Sequence, residues 1–439
     1  MPPAPLSYPS DYPSSPQIPA AQTKQARQRW SMVWLALAPV CGLIFGLLSF
    51  FAGAALISAP PGLICLGAAG VWTGTAALTW CGLKRRHDLS RPLFWSLLYA
   101  TTVLLLAGVA AGLQVFRPLL SLSPQPAPAQ VRYWLLPDGS QLAYFVSAAV
   151  PSAARRSASP VIFLHGGPGT PGEGTPKGTS ALNASGFDVY AYDQIGAGRS
   201  SRLTDITQYT VARQVSDLEA VRRKLGAPQL ILVGRSWGAT LAAAYLAAYP
   251  HRVARVIFVS PAPLWQGAYP NGSEGTLADR LTPSQRQRLR GLLFTPRMLV
   301  QSVLMQINPA AAHALVGDAE ADTYFRQAAV AALPAARCSG SPLGQAHANL
   351  PGYYTNQRTS SDAERIPDPR PVLRHIPVPA LILRGECDFI RAVVAREYSL
   401  VLPAAHLVAV SGAGHDVAGE QPDLYTQLLL QFLEAGSAD

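Results

Sequence analysis

Residues 230–249 read Leu-Ile-Leu-Val-Gly-Arg-Ser-Trp-Gly-Ala-Thr-Leu-Ala-Ala-Ala-Tyr-Leu-Ala-Ala-Tyr. An apolar run, Leu230 to Val233, enters a Gly-x-Ser-x-Gly pentad, and an Ala/Leu-rich helical run leaves it. No other stretch constrains the fold as much. A strand that becomes a helix within one turn implies a sheet with that helix packed back on it. The turn is so sharp that the positions two before and two after its centre must lack bulk, which accounts for Gly234 and Gly238. The serine hydroxyl then sits at the end of the sheet, at the positive pole of the next helix. Ser236 is the candidate nucleophile. A chain with 36 glycines can also carry such a pentad by chance. The strand before it and the helix after it separate the two readings.

The surrounding pattern agrees with a sheet of this kind. Val131–Leu136 and Gln141–Val146 flank Pro137-Asp138-Gly139-Ser140, a hairpin signal. Pro160–Leu164 is a short apolar strand running into His165-Gly166-Gly167-Pro168-Gly169, and Phe187–Tyr192 is another running into Asp193-Gln194. Val211–Leu225 has the spacing of an amphipathic helix, and Val253–Val259 that of a strand. Strands alternating with helices predict an α/β fold, a mostly parallel sheet covered on both faces. Alternation stops over residues 262–372 and resumes with Ala380–Leu383 as strand, Ala392–Leu402 as helix, His406–Val410 as strand and Asp423–Leu433 as a closing helix. An insertion of about 110 residues in mid-sheet is far longer than an ordinary connection and reads as a helical cap over the site.

A serine hydroxyl is a weak nucleophile at neutral pH and needs a base, which in turn needs an orienting carboxylate. In elbow enzymes the chain order is serine, acid, histidine. Gly385-Glu386-Cys387-Asp388 follows one late strand and Gly412-Ala413-Gly414-His415 follows the next. Both lie where a parallel strand delivers its carboxyl end. His415 is therefore expected as general base and acid, with Asp388 as its orienter. Glu386 is the competing acid and His406 the competing base, though His406 begins a strand instead of following one. His87, His251, His313, His347 and His375 have no comparable setting. The oxyanion needs donors. The backbone N–H groups of Trp237 and Gly167 are the candidates, since glycine lets the backbone of the 165–169 loop approach a substrate; the bland alternative for that loop is a plain tight turn.

Together these residues resemble a known family. His165-Gly166-Gly167-Pro168-Gly169, Asp193-Gln194 with Gly196-Ala197-Gly198-Arg199-Ser200, Asp217-Leu218-Glu219 before Arg222, Gly234-Arg235-Ser236-Trp237-Gly238, Gly385 with Asp388, and Gly414-His415 look like the prolyl aminopeptidase (proline iminopeptidase) branch of the α/β-hydrolases. The resemblance covers roughly residues 131–435. It implies hydrolysis through an acyl-enzyme without metal or organic cofactor, and removal of an N-terminal residue from a short peptide. In that family, cap glutamates hold the substrate's free amine. The cap here contains Glu274, Glu320 and Glu364, none of which matches the family's pattern, and the Trp/Glu-rich cap motif is missing. An esterase or lipase-like hydrolase on the same triad is the alternative, because the scaffold is shared and substrate choice resides in the cap. A third reading is a catalytically silent hydrolase-fold domain used for binding or sensing.

The first 117 residues lie outside that resemblance. Charged residues make up only 14% of the chain, well below the usual quarter, and the shortage is explained by three uncharged apolar spans, Met32–Ile57, Gly62–Leu83 and Leu93–Phe116. Each reaches the roughly 20 residues that cross a bilayer. The first is too long for a signal-peptide core, and two more follow it. Gly42/Gly46, Gly70/Gly74 and Gly108/Gly112 are pairs at the spacing that lets helices approach closely. The expected organisation is a disordered Pro-rich segment over 1–30, a membrane domain over 31–117, a Pro-rich linker over 118–130 and a hydrolase domain over 131–439. Residues 1–117 carry a net charge of +6 and the other 322 a net of +4, so the basic balance is partly a membrane-flank effect and gives no case for nucleic acid. Lys24, Arg27 and Arg29 precede the first span, and Lys84, Arg85, Arg86 and Arg91 lie between the second and third. By the positive-inside rule these flanks are cytoplasmic, which puts everything after Phe116 on the outer side, with the plasma membrane as the expected site. Cys41, Cys65 and Cys81 are expected as buried small hydrophobes within the spans, and Cys338 and Cys387 can pair if their region is exported. No metal-ligand spacing of His and Cys occurs.

Overall fold

A computed structural model describes residues 20–84, 86, 89–123, 125–153, 156–270, 272, 277–342 and 349–435. Residues 1–19, Arg85, His87, Glu274 and His347 lie outside them. The chain forms two compact units, one holding the stretch up to Arg117 together with Gln306–Ala311, the other Pro118–Met305 and the chain from Ala312 on.

The first unit has helices α1 (Ala20–Ala54), α2 (Pro60–Leu83) and α3 (Pro92–Ala111), the last extended by a π-helical turn, Gly112–Phe116. All three are long and apolar enough to cross a membrane. Helix α1 starts earlier than the Pro-rich composition suggested. The last proline of that run is Pro19, and the following Ala, Gln, Lys and Arg residues are good helix formers. It stops before Pro60, which begins α2 at the position where a missing N–H costs nothing. Two of the three glycine pairs lie on the α1–α2 contact. A Cβ at Gly42 would come within 3.0 Å of the Val71 carbonyl oxygen, one at Gly46 within 2.9 Å of Gly67 O, and one at Gly70 within 2.9 Å of Phe45 O. Gly108 and Gly112 have nothing within 4 Å, so the third pair makes no such contact among the described residues. Cys41 and Cys65 are exposed and Cys81 half-exposed, not buried as expected, because they lie on outward faces of the helices.

The second unit is built on an eight-stranded sheet: β1 (Arg132–Leu135), β2 (Gln141–Ser147), β3 (Val161–Leu164), β4 (Val189–Tyr192), β5 (Leu230–Arg235), β6 (Val253–Val259), β7 (Ala380–Gly385) and β8 (Ala405–Val410). Their spatial order is β1-β2-β4-β3-β5-β6-β7-β8. The β1–β2 and β2–β4 pairings are antiparallel and the rest are parallel. Between the strands run α4 (Thr179–Ala184), α5 (Val211–Lys224) and α6 (Trp237–Ala248). Ala239, Leu241, Ala242, Ala243, Tyr245 and Leu246 of α6 are all buried, and its alanines allow close approach to the sheet. Val161, Val233, Ile257, Leu381, Leu383 and Val410 form the core on one face, packed by Tyr425, Leu429 and Leu433.

Between β6 and β7 the described residues form helices and loops without a strand: α7 (Pro283–Leu293), α8 (Pro296–Ile307), α9 (Pro309–Leu315), α10 (Asp318–Ala332), α11 (Tyr353–Ala363) and α12 (Arg370–Leu373). The chain then continues through α13 (Ala392–Val401), α14 (Val417–Glu420) and α15 (Pro422–Glu434). The start of the Pro-rich linker is docked on α10: Leu119 N–H donates to Glu320 at 2.7 Å and Leu122 N–H to Thr323 Oγ1 at 2.9 Å.

Candidate active site

Strand β5 ends at Arg235 and α6 begins at Trp237, so Ser236 alone makes the turn, at φ 54° and ψ −120°. A non-glycine residue held there costs about 1–3 kcal/mol, which the surrounding packing must offset. The two pentad glycines are required by close approach. A Cβ at Gly234 would collide with the carbonyl of Gly238, and one at Gly238 with the carbonyl of Leu164 on the neighbouring strand.

The loops after β7 and β8 meet beside this turn. His415 Nδ1 lies 2.9 Å from Asp388 Oδ1, and both side chains are buried. Asp388 Oδ1 also accepts from Ile390 N–H at 3.0 Å. Burial opposes the charge on Asp388, but the hydrogen bonds from His415 and Ile390 prevail and hold its carboxyl below the usual range. Glu386 is exposed and accepts from Ser411 Oγ at 2.8 Å, away from the imidazole. His406 is exposed on β8. His313 pairs with Asp318 at 3.0 Å on the cap, and His251 and His375 are exposed.

The 165–169 loop closes the other side. Gly167 takes φ 114°, a conformation open to glycine. A Cβ on Gly166 would come 3.0 Å from Ser236 Cβ. Trp237 is the first residue of α6, so its N–H has no partner within the helix. A side-chain network that the sequence did not assign fixes this loop to the elbow. His165 Nε2 accepts from Gln194 N–H at 2.9 Å, Gln194 Nε2 donates to His165 O at 2.9 Å, and Trp237 Nε1 donates to Gln194 Oε1 at 3.2 Å. Burial, helped by the nearby Arg235 charge, pushes the His165 imidazole down to about 4, so it stays neutral with Nδ1–H donating to Gly166 O at 2.9 Å. A polar Asp-Gln directly after a strand end was the available signal for Gln194.

A cap segment straps together the two loops that carry Asp388 and His415. Cys338 and Cys387 form a disulfide, with Cα atoms 5.2 Å apart. His415 N–H donates to Ala336 O at 2.7 Å, and Arg337 Nη2 to Asp416 Oδ2 at 2.6 Å. Glu420 accepts from Gly414 N–H at 2.8 Å and from Cys338 N–H at 2.9 Å. Neither Glu420 nor Arg337 could be found from sequence, since nothing local marks them.

Ser236, Gly167, Trp237 and His415 face one cavity of about 330 Å³, walled by Pro263, Leu277, Leu333, Phe389 and Ile390. Among the described residues no Asp or Glu lines it. Glu320 is tied to Arg297 at 2.6 Å within the cap, and Glu364 is exposed. No group of three or more His, Cys, Asp or Glu that could hold a metal occurs among the described residues.

Residues 159–422 match the family model described as alpha/beta hydrolase fold, and the chain belongs to that family. It is a hydrolase by fold and relatives. Within the family it is similar to the proline iminopeptidase of Heyndrickxia coagulans, 44% identical over 111 residues that cover 25% of this chain and 38% of that enzyme. It is 29% identical over 294 residues to the proline iminopeptidase of Lactobacillus delbrueckii subsp. bulgaricus, covering 63% of this chain and 90% of that one. The crystal structure of proline iminopeptidase from Mycobacterium smegmatis is 19% identical, with a TM-score of 0.46 over 70% of this chain and 98% of that one.

Proposed function

We propose that this chain is a membrane-anchored serine hydrolase that removes an N-terminal residue from short peptides. The observation that carries the reading is the 2.9 Å contact between His415 Nδ1 and Asp388 Oδ1, with the other face of His415 on the same cavity as Ser236. Asp388 orients the imidazole and stabilises its cation. His415 takes the Ser236 proton as the hydroxyl attacks the scissile carbonyl. The N–H groups of Trp237 and Gly167 receive the developing oxyanion. His415 then protonates the departing nitrogen, leaving an acyl-Ser236 ester, and activates a water to hydrolyse it. These groups complete the chemistry without metal or organic cofactor. The likeness to proline iminopeptidases supports peptide substrates.

A second reading, hydrolysis of small esters or amides, is favoured by one observation. A free α-amine needs a carboxylate partner, and among the described residues none lines the Ser236 cavity. A fluorophosphonate probe on the full chain in detergent tests the chemistry. Wild type labels and Ser236→Ala does not; a folded wild type that fails to label would be a binding or sensing domain instead. A panel of prolyl and alanyl anilides against short-chain esters then separates the substrate classes. Ester hydrolysis alone, indifferent to a blocked N-terminus, would sink the aminopeptidase reading.

The anchor reading rests on three spanning-length apolar helices and on basic flanks before the first and between the second and third. These orient the N-terminus to the cytoplasm and the catalytic unit to the outside. Protease added to intact cells is expected to cleave within residues 131–439; full protection there, while other outer-face proteins are cut, would reverse the topology.

A further inference from the structure

The 330 Å³ cavity is one of two that meet at His415. The second, of about 780 Å³, shares Gly166, Arg235, Ala329, Leu333 and His415 with the first but does not include Ser236. That division has a chemical meaning. The acyl portion of a substrate becomes bonded to Ser236 and must remain in the Ser236 lobe. The leaving atom must reach His415, which protonates it as it departs. The departing portion therefore lies on the His415 side and opens into the larger lobe.

The two lobes differ in charge. Among the described residues the smaller carries only Arg235, which lines both lobes, besides His415. In the larger, each carboxylate is already held. Glu173 pairs with Arg199 at 2.6 Å. Asp416 takes Arg337 at 2.6 Å. Asp193 accepts from Arg199 N–H at 2.8 Å and from Asn349 Nδ2 at 3.0 Å. Cations are in surplus. Arg235 makes no side-chain hydrogen bond among the described residues; its only close charge is Asp416, at 3.8 Å, and its side chain is 50% exposed. Arg326, on α10, also lines this lobe and has no hydrogen-bond or ion-pair partner among the described residues. Lys177 stands exposed at its edge. Two guanidinium forks, one with no carboxylate partner among the described residues and the other with only Asp416, at 3.8 Å, in a lobe that receives the leaving group, form a site for an anion with planar oxygens.

We propose that the larger lobe is a leaving-group subsite for a carboxylate, held by Arg235 and Arg326. The preferred substrates are then compounds whose departing portion is a free amino acid or another short carboxylic acid, such as a dipeptide, in place of a longer or amidated peptide. This rests on the catalytic reading of Ser236, Asp388 and His415. In the step itself the scissile C–N or C–O bond breaks, the leaving atom takes its proton from His415, and the carboxylate is unchanged.

The test uses the full chain in detergent and two matched pairs: Pro-Gly against Pro-Gly-amide, and O-acetyl glycolate against O-acetyl glycolamide. The pairs differ only in a carboxylate on the departing side, and the ester pair reads the subsite even if peptides are not cleaved. A kcat/KM preference of roughly ten- to a hundredfold for the free acid, expressed mainly in KM, is expected. Arg235→Gln and Arg326→Gln should each shrink that ratio, and the double variant should bring it near one. A wild type that labels with fluorophosphonate and cleaves both members equally, or prefers the amide, overturns the subsite alone. So does a ratio that persists in the double variant. A folded wild type that neither labels nor cleaves overturns the catalytic reading and the subsite with it.

Discussion

The carboxyl edge of the sheet, where the proposed site lies, and the cap are held together by different forces. At the edge, backbone meets backbone. Gly234 packs on Gly238, Gly238 on Leu164, and Gly385 on Gly414, each so closely that a Cβ would collide with a carbonyl. The chemical side chains stand on loops clamped by these contacts. The cap is held by side chains far apart in sequence. Arg297 pairs with Glu320 at 2.6 Å, Arg202 with Asp322 at 2.8 Å, and Asp322 Oδ1 accepts from Tyr353 N–H at 2.7 Å. The disulfide spans 49 residues. Geometry at the edge follows from steric exclusion and tolerates almost no substitution. Beyond the 336–338 strap, geometry in the cap follows from charge pairs whose members do not line the Ser236 cavity. A scaffold built this way keeps its reaction while its substrate changes.

The comparison breaks first at Asp388. If the edge carries the chemistry, Asp388→Asn removes the charge that stabilises the His415 cation and admits the wrong tautomer. A fall of about 10⁴-fold in kcat is expected, with little change in thermal stability. The measurement is kcat on the best ester or anilide, beside a melting curve. A loss under tenfold would mean that His415 is oriented by something else and that the edge is not the seat of catalysis.

The same division decides what could be read from the sequence. The positions proposed for the triad, Ser236, Asp388 and His415, could be singled out because each follows a strand and is marked by nearby glycine, and backbone sterics leave few other ways to build such turns. Gly167 and Trp237, proposed as oxyanion donors, stand out for the same reason. The strand positions were legible because their apolar runs are short and bounded, so Val253–Val259 was located to the residue. The cap helices were not. Their apolar residues are mixed with Arg and Ala, and no local signal says that Arg297 meets Glu320 or that Glu420 binds the backbone at Gly414. His165 and Gln194 fall between: their positions were visible, but their mutual hydrogen bonds depend on two loops meeting in space. Asp217 and Glu219, quoted among the family-like residues, are structural. Asp217 pairs with Arg213 at 2.7 Å, and Glu219 with Arg222 at 2.8 Å and with the Tyr245 hydroxyl at 2.8 Å.

The smaller effect on catalysis belongs to the cap. Arg297 and Glu320 are both buried, and Glu320 also receives Leu119 N–H. Glu320→Gln removes the negative charge that faces the buried Arg297 guanidinium, which also donates to the Leu315 carbonyl at 2.6 Å. Removing one charge of a buried pair costs about 3–5 kcal/mol, because the other charge stays buried without it. The full chain in detergent should therefore melt at a lower temperature, while kcat per folded molecule stays within about twofold, since neither residue lines the Ser236 cavity. Replacing both residues, Arg297→Met with Glu320→Leu, takes the buried charge away altogether and should restore most of the lost stability. If Glu320→Gln instead lowered kcat at an unchanged melting temperature, the pair would be acting on the reaction, and the separation between a replaceable cap and a fixed edge would fail.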